Sequence, residues 1–99
     1  ELNKNKYNFV FYVAGVDIHF EDQLGKLKIT DEGINKRDQI VIENFYSRNI
    51  PLCGVLGGGY NKSFEKLIEL HSMLHKNCAK IIWYLNFYSL ITCFYLYSY

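Results

Sequence analysis

Two short apolar runs, separated by a single amphipathic stretch, constrain this chain more than any other feature. Phe9-Val10-Phe11-Tyr12-Val13 shows no alternation and reads as a strand buried on both faces, as in a parallel sheet covered by helices. Pro51-Leu52-Cys53-Gly54-Val55-Leu56 is a second such run, and it follows the first by far more than a hairpin connection. Between them Ile34, Val41 and Phe45 recur at helical spacing, with Lys36, Arg37, Asp38 and Glu43 mostly on other faces. Strand, helix and strand in that order predict a βαβ unit with parallel strands and a right-handed crossover.

Local signals place the boundaries. Thr30 and Asp31 are N-cap candidates, and Asp31 and Glu32 put negative charge where a helix dipole favours it. Asn49 can take the left-handed conformation that ends the helix, and Pro51 prevents it from continuing. Asn61 or Ser63 can cap a second helix whose apolar face is Phe64, Leu67, Ile68 and Leu74. The expected elements are strands over 8–13 and 51–56 and helices over 31–48 and 63–76, an α/β arrangement.

Chemistry concentrates where the strands end. The first run passes through Ala14-Gly15-Val16 into Asp17, His19, Glu21 and Asp22, and the second into Gly57-Gly58-Gly59-Tyr60. Parallel strands deliver both segments to one sheet edge, the edge at which ligands bind in open α/β sheets. Asp17 is there either as a ligand-binding carboxylate or as a turn or cap residue. The glycine run lacks the G-x-G-x-x-G spacing and the Gly-Lys-Ser/Thr ending of phosphate loops. It serves either as a tight strand-to-helix turn or as backbone that a ligand approaches closely. His71 and His75 share a helix face, but Ser72, Met73 and Leu74 between them leave out the glutamate of the His-Glu-x-x-His zinc motif.

Charge and cysteine usage narrow the class further. The net charge of +1 with signs intermixed forms no basic stripe, so nucleic acid is not implied. Cys53, Cys78 and Cys93 are odd in number and lack C-x-x-C spacing, which indicates neither a disulfide framework nor a cysteine zinc site. A reducing, cytoplasmic setting is expected. From Ile81 onward no charged residue occurs, and Ile, Leu, Phe and Tyr dominate. That run is near the lower length limit for a membrane-spanning helix of about 20 apolar residues, but its tyrosines are spread throughout instead of gathering at the interfaces. Its composition is what AT-rich codons yield past a frameshift, which is the preferred reading over a membrane anchor.

Phe11-Tyr12-Val13-Ala14-Gly15-Val16-Asp17, then Asp22-Gln23-Leu24-Gly25, and later Gly57-Gly58-Gly59-Tyr60 together resemble the histone deacetylase superfamily. Thr30-Asp31-Glu32-Gly33-Ile34 and Lys36-Arg37-Asp38 are similar to its class IV and related bacterial branches. The resemblance implies part of a doubly wound parallel sheet, a βαβα fragment of the arginase/deacetylase-like fold. It implies a carboxyl-terminal domain part over 1–80 and a hydrophobic, non-homologous tail over 81–99.

By the same resemblance Asp17 is one of three zinc ligands, and Tyr60 hydrogen-bonds the substrate carbonyl. Leu24 lines the floor of the acyl site, and Gly58 and Gly59 form the wall of a narrow tunnel. The implied cofactor is Zn2+, and the implied substrate an acetylated lysine or other acylated amine. Val13 stands where relatives commonly have asparagine, and Gln23 where many have arginine. The family's paired histidines and other two zinc ligands match nothing in this chain, and His19 does not replace them by motif position. The expectation is therefore a portion of a zinc-dependent deacylase, inactive alone and binding zinc weakly or not at all. The alternative is a split-enzyme half that assembles with a missing amino-terminal half, or a membrane-anchored remnant held by 81–99.

Overall fold

The computed structural model describes residues 6–84. Its elements are β1 (Val10–Val13), α1 (Asp31–Ser47), β2 (Leu52–Val55) and α2 (Phe64–Tyr84), in chain order. The strands are parallel, with Val10 opposite Leu52, Phe11 opposite Cys53, Tyr12 opposite Gly54 and Val13 opposite Val55. The βαβα order and the α/β class expected from the sequence are those observed.

The caps explain where α1 starts and stops. Thr30 is extended, and its hydroxyl accepts the Gly33 N–H at 3.2 Å, satisfying one of the first-turn donors. At the other end Asn49 has φ 53°, and its N–H and that of Ile50 donate back to the Tyr46 and Phe45 carbonyls at 2.9 and 3.0 Å. This doubled closure needs a left-handed residue, which asparagine tolerates. Ser63 caps α2 through the Lys66 N–H at 3.1 Å, while Asn61 accepts the Ser63 N–H at 2.9 Å. Beyond Gly59 the sequence contains neither glycine nor proline, so nothing stops α2 at 76, and it runs on to Tyr84.

Both helices pack onto the same side of the strand pair. Ile42 and Phe45 from α1, Leu74 and Cys78 from α2, and Ala14 and Leu52 from the strand segments form one core, with Val10 and Tyr12 against it. A second cluster joins Val16, Ile34 and Leu70 directly beneath the carboxyl edge of the strands. At Gly54 the approach is close, since a Cβ there would lie 3.1 Å from a Leu74 methyl.

Four sequence expectations need correction, one of them the apolar face of α2, where Phe64 and Ile68 are 69% and 54% exposed while Leu74 is buried. β1 is not buried on both faces: Phe11 and Val13 are 65% and 66% exposed, whereas Val10 and Tyr12 pack against the core. Phe9 and Phe11 instead pack edge to face on each other, with ring centroids 5.0 Å apart. Asp38 does not lie on an outer helix face but is buried, since Tyr12 and Arg37 supply hydrogen bonds that make its burial tolerable. Ile42, which the periodicity reading omitted, belongs to the core. Of the tail expected over 81–99, residues 85–99 lie outside the described residues. No helix among the described residues is long and apolar enough to cross a membrane.

Candidate functional site at the carboxyl edge

The strand ladder continues past both strands and brings their polar extensions together. Ala14 N–H donates to the Val55 carbonyl at 2.9 Å, and Val16 N–H to the Gly57 carbonyl at 3.2 Å. Asp17 therefore emerges beside the glycine run. Its carboxylate lies against Gly58, where a Cβ would stand 2.8 Å from the Asp17 Cγ, and Gly58 has φ 61°. Both the close approach and the left-handed backbone favour glycine at this position. Gly59, with φ 113°, turns its missing side chain toward Leu67, Val16 and His71. Of the two predicted tunnel glycines, only Gly58 borders the carboxylate.

Asp22 ties the remaining pieces together. It is buried, and its Oδ1 accepts the N–H groups of Leu24 and Gly25 at 2.9 and 2.8 Å. Its Oδ2 accepts the Tyr60 N–H at 2.7 Å. Burial alone would raise this carboxyl's pKa, but the Gly25, Tyr60 and Leu24 amides outweigh it and hold the pKa below its ordinary value. One ionised side chain thus joins the turn carrying Leu24 to the residue Tyr60, 38 positions later. Leu24 and Tyr60 are 67% and 50% exposed, so both side chains are available at the surface of the edge.

His19 serves the scaffold. Its Nδ1 accepts the Glu21 N–H at 3.3 Å, which leaves the proton on Nε2, and Nε2 donates to Asp31 Oδ1 at 2.6 Å. Asp31 also receives Lys66 Nζ at 2.7 Å, so one carboxylate at the start of α1 joins the edge loop to α2. The hydrogen bond from Lys66 is the main reason that the Asp31 pKa lies below its ordinary value, with His19 adding to it against the opposing effect of burial. The parallel bridge between His19 and Ile29 closes the same loop.

Sequence reasoning placed Asp17, Leu24, Gly58 and Tyr60 at this edge but missed how they are held. The sequence marks Asp22 as one of the polar residues after the first strand and as part of Asp22-Gln23-Leu24-Gly25, but not as the residue that holds the edge together. The signal that could have found it is local: an aspartate two and three residues before Leu24 and Gly25 is positioned to accept their amides. Its bond to Tyr60 carries no such signal. Arg37 is the second omission, with Nη1 donating to the Gly15 carbonyl at 2.6 Å.

Zinc can be tested against the donor set. Asp17 fits as one ligand, being partly exposed and beside a glycine that leaves its carboxylate uncovered. A catalytic zinc takes three protein ligands, however, and no group of three or more His, Cys, Asp or Glu among the described residues is arranged to hold a metal ion. The described residues by themselves do not complete the three-ligand set that a catalytic zinc takes.

A parallel βαβα unit whose strand ends carry an aspartate, a clamped turn and a glycine-tyrosine segment defines a class of α/β edge site. Residues 2–75 match the family model of the histone deacetylase domain, and the chain belongs to that family. It is 41% identical over 75 residues to an uncharacterized protein of Picosynechococcus sp., covering 76% of this chain and 25% of that protein. It is 46% identical over 59 residues to Histone deacetylase 2 of Arabidopsis thaliana, covering 60% of this chain and 15% of that one. The chain thus spans a quarter or less of the length of these curated relatives.

Proposed function

We propose that this chain supplies one wall of a zinc-dependent deacylase site, hydrolysing the amide of an acetylated lysine or another acylated amine. In this reading Asp17 is one zinc ligand. The Tyr60 hydroxyl donates a hydrogen bond to the oxyanion that develops on the substrate carbonyl. Such a donor favours the tetrahedral state over the planar amide. Leu24 and Gly58 border the acyl group and the amine chain, with Gly59 holding the glycine turn against α2. Zinc, when bound, would make hydroxide available near neutral pH.

The observation that carries this reading is the joint placement of Asp17 against Gly58 and of the Leu24 and Tyr60 segments on the single Asp22 carboxylate. An accidental strand-end turn has no need of that four-part convergence. The remaining ligands and the general base come from polypeptide other than the described residues. The chain by itself is expected to be inactive.

The test is complementation. The chain is assayed for deacylation of an acetyl-lysine peptide alone, and then with the amino-terminal remainder of the domain taken from the Picosynechococcus relative, in fusion or in trans. Turnover is expected only with the remainder present. Asp17→Ala should abolish it together with zinc content, and Tyr60→Phe should reduce it about 100-fold with zinc retained, the scale found for loss of one oxyanion donor. Zinc-dependent turnover by the chain alone, or full activity of Asp17→Ala in the complemented domain, would refute the reading.

A further inference from the structure

Asp17 needs more than a place in the sequence, because a ligand carboxylate on a strand-end loop is useful only if the backbone before it is held. Gly15 and Val16 provide that backbone. The Val16 N–H is bound by the Gly57 carbonyl at 3.2 Å, from the β2 side. The other end of the same peptide, the Gly15 carbonyl, receives Arg37 Nη1 at 2.6 Å, from α1. One peptide unit is therefore gripped from two elements, one residue before Asp17. The grip is close, since a Cβ on Gly15 would lie 3.0 Å from the Gly57 oxygen and 3.2 Å from Asp17 Oδ1.

Arg37 is itself aimed. Its Nε and Nη2 donate to Asp38 Oδ1 at 3.0 and 2.9 Å, and its guanidinium carbon lies 5.8 Å from the centre of the Tyr12 ring. Tyr12 donates its hydroxyl to the same Asp38 oxygen at 2.5 Å. Asp38 is 1% exposed, so a buried carboxylate orients the fork from one side while the aromatic ring lies beside it. A planar guanidinium can serve the carboxylate and the carbonyl at once, whereas an ammonium cannot reproduce that fork. The long reach of the arginine also explains a residue that the helix pattern assigns to an outer face.

We propose that Arg37 is a positioning residue for Asp17, clamping the Gly15–Val16 peptide with Asp38 and Tyr12 as its alignment. Its functional consequence rests on the reading of Asp17 as a zinc ligand. The clamp itself does not.

The test uses the full chain, labelled with 13C and 15N, and the variant Arg37→Lys, which keeps the charge and loses the fork. Exchange of the Val16 amide is expected to quicken about tenfold, the loss of one charge-assisted hydrogen bond next to it. The Gly15 carbonyl carbon resonance should move more than any other in the loop, and the Asp17 side-chain carbons should become more mobile. The Ile42 and Leu74 amides should keep their protection, which a merely structural loss in the core would not allow. Asp38→Asn, a milder change that leaves the guanidinium in place, should produce the same pattern at smaller amplitude. Unchanged Val16 exchange and Gly15 carbonyl shift in both variants would overturn the proposal, as would losses spread evenly over α1 and α2. Failure of the complementation assay would overturn the ligand reading alone, because exchange and carbonyl shift require no metal.

Discussion

Replacing Asp22 with alanine should loosen the carboxyl edge more than any other single change there. The side chain accepts three backbone N–H groups, from Leu24, Gly25 and Tyr60, at 2.7–2.9 Å. A hydrogen bond to a charged group contributes about 1.5–3 kcal/mol, so the gross loss would be about 4.5–9 kcal/mol. Leu24 and Tyr60 are exposed residues, however, so water can reach their segments once the carboxylate is gone. The net cost is therefore set at about 2–4 kcal/mol, the largest share from the less exposed Gly25 amide. For a chain of this size that is a fall in Tm of roughly 10–25 °C.

Asp22→Asn separates charge from shape. The amide keeps one acceptor oxygen, so either the Leu24–Gly25 pair or Tyr60 faces an NH2 donor, and the expected cost is about 1–2 kcal/mol. pH supplies an independent check. The folded pKa of Asp22 is depressed, so its contribution is fully present above the unfolded aspartate value of about 3.9 and is lost as pH falls through the folded value. Stability measured by urea unfolding should therefore decline less steeply below about pH 4 in Asp22→Ala than in the parent chain. Amide exchange at Tyr60 should quicken in both variants. Alanine at 22 with stability within about 0.5 kcal/mol of the parent, or Tyr60 exchange unaltered, would refute the bridging role.

Other perturbations have distinct expected outcomes. Gly58→Ala combines a left-handed backbone with a methyl 2.8 Å from the Asp17 Cγ, and should lower stability by about 1–2 kcal/mol while shifting the Asp17 carboxyl carbon resonance; an unmoved resonance would place the carboxylate elsewhere. Thr30→Ala removes the acceptor of the Gly33 N–H and should cost about 1 kcal/mol in urea unfolding, with no loss meaning that water replaces the cap freely. Phe11→Thr, on the exposed side of β1, removes the edge-to-face contact with Phe9 and should lower stability by about 0.5–1.5 kcal/mol in urea unfolding. A loss of several kcal/mol there would show that the face is packed in solution.

Much of the edge was legible because its signals are local or periodic. Thr30 and Asn49 announce the ends of α1 by their own side-chain and backbone preferences, and they act there as expected. The parallel pairing followed from two apolar runs too far apart for a hairpin, and it carried Asp17 and Gly58 to one edge. Leu24 and Tyr60 came from motif resemblance. What escaped was long-range and polar. Periodicity counts apolar residues, so it assigned Arg37 and Asp38 outward although their hydrogen bonds turn them inward. The same blindness applies to His19, whose charged neighbourhood suggests chemistry but whose ring is enclosed between Glu21 and Asp31.

By itself the sequence determined the order of elements, their caps, the parallel sense of the strands and the family, because each depends on neighbouring residues, spacing or motif. Only the tertiary structure decided which polar groups share a partner. Asp22 meets Tyr60 across 38 positions, Asn77 meets Asn35 across 42, and Arg37 meets Gly15 across 22. It also decided that Phe11 and Val13 stand uncovered, since an unbroken apolar run states that a strand can be buried on both sides but not that something lies there to bury it. The physical reason is common to both. Propensity and period are properties of the local chain, whereas a buried carboxylate or a covered face is a property of whatever the fold brings against it.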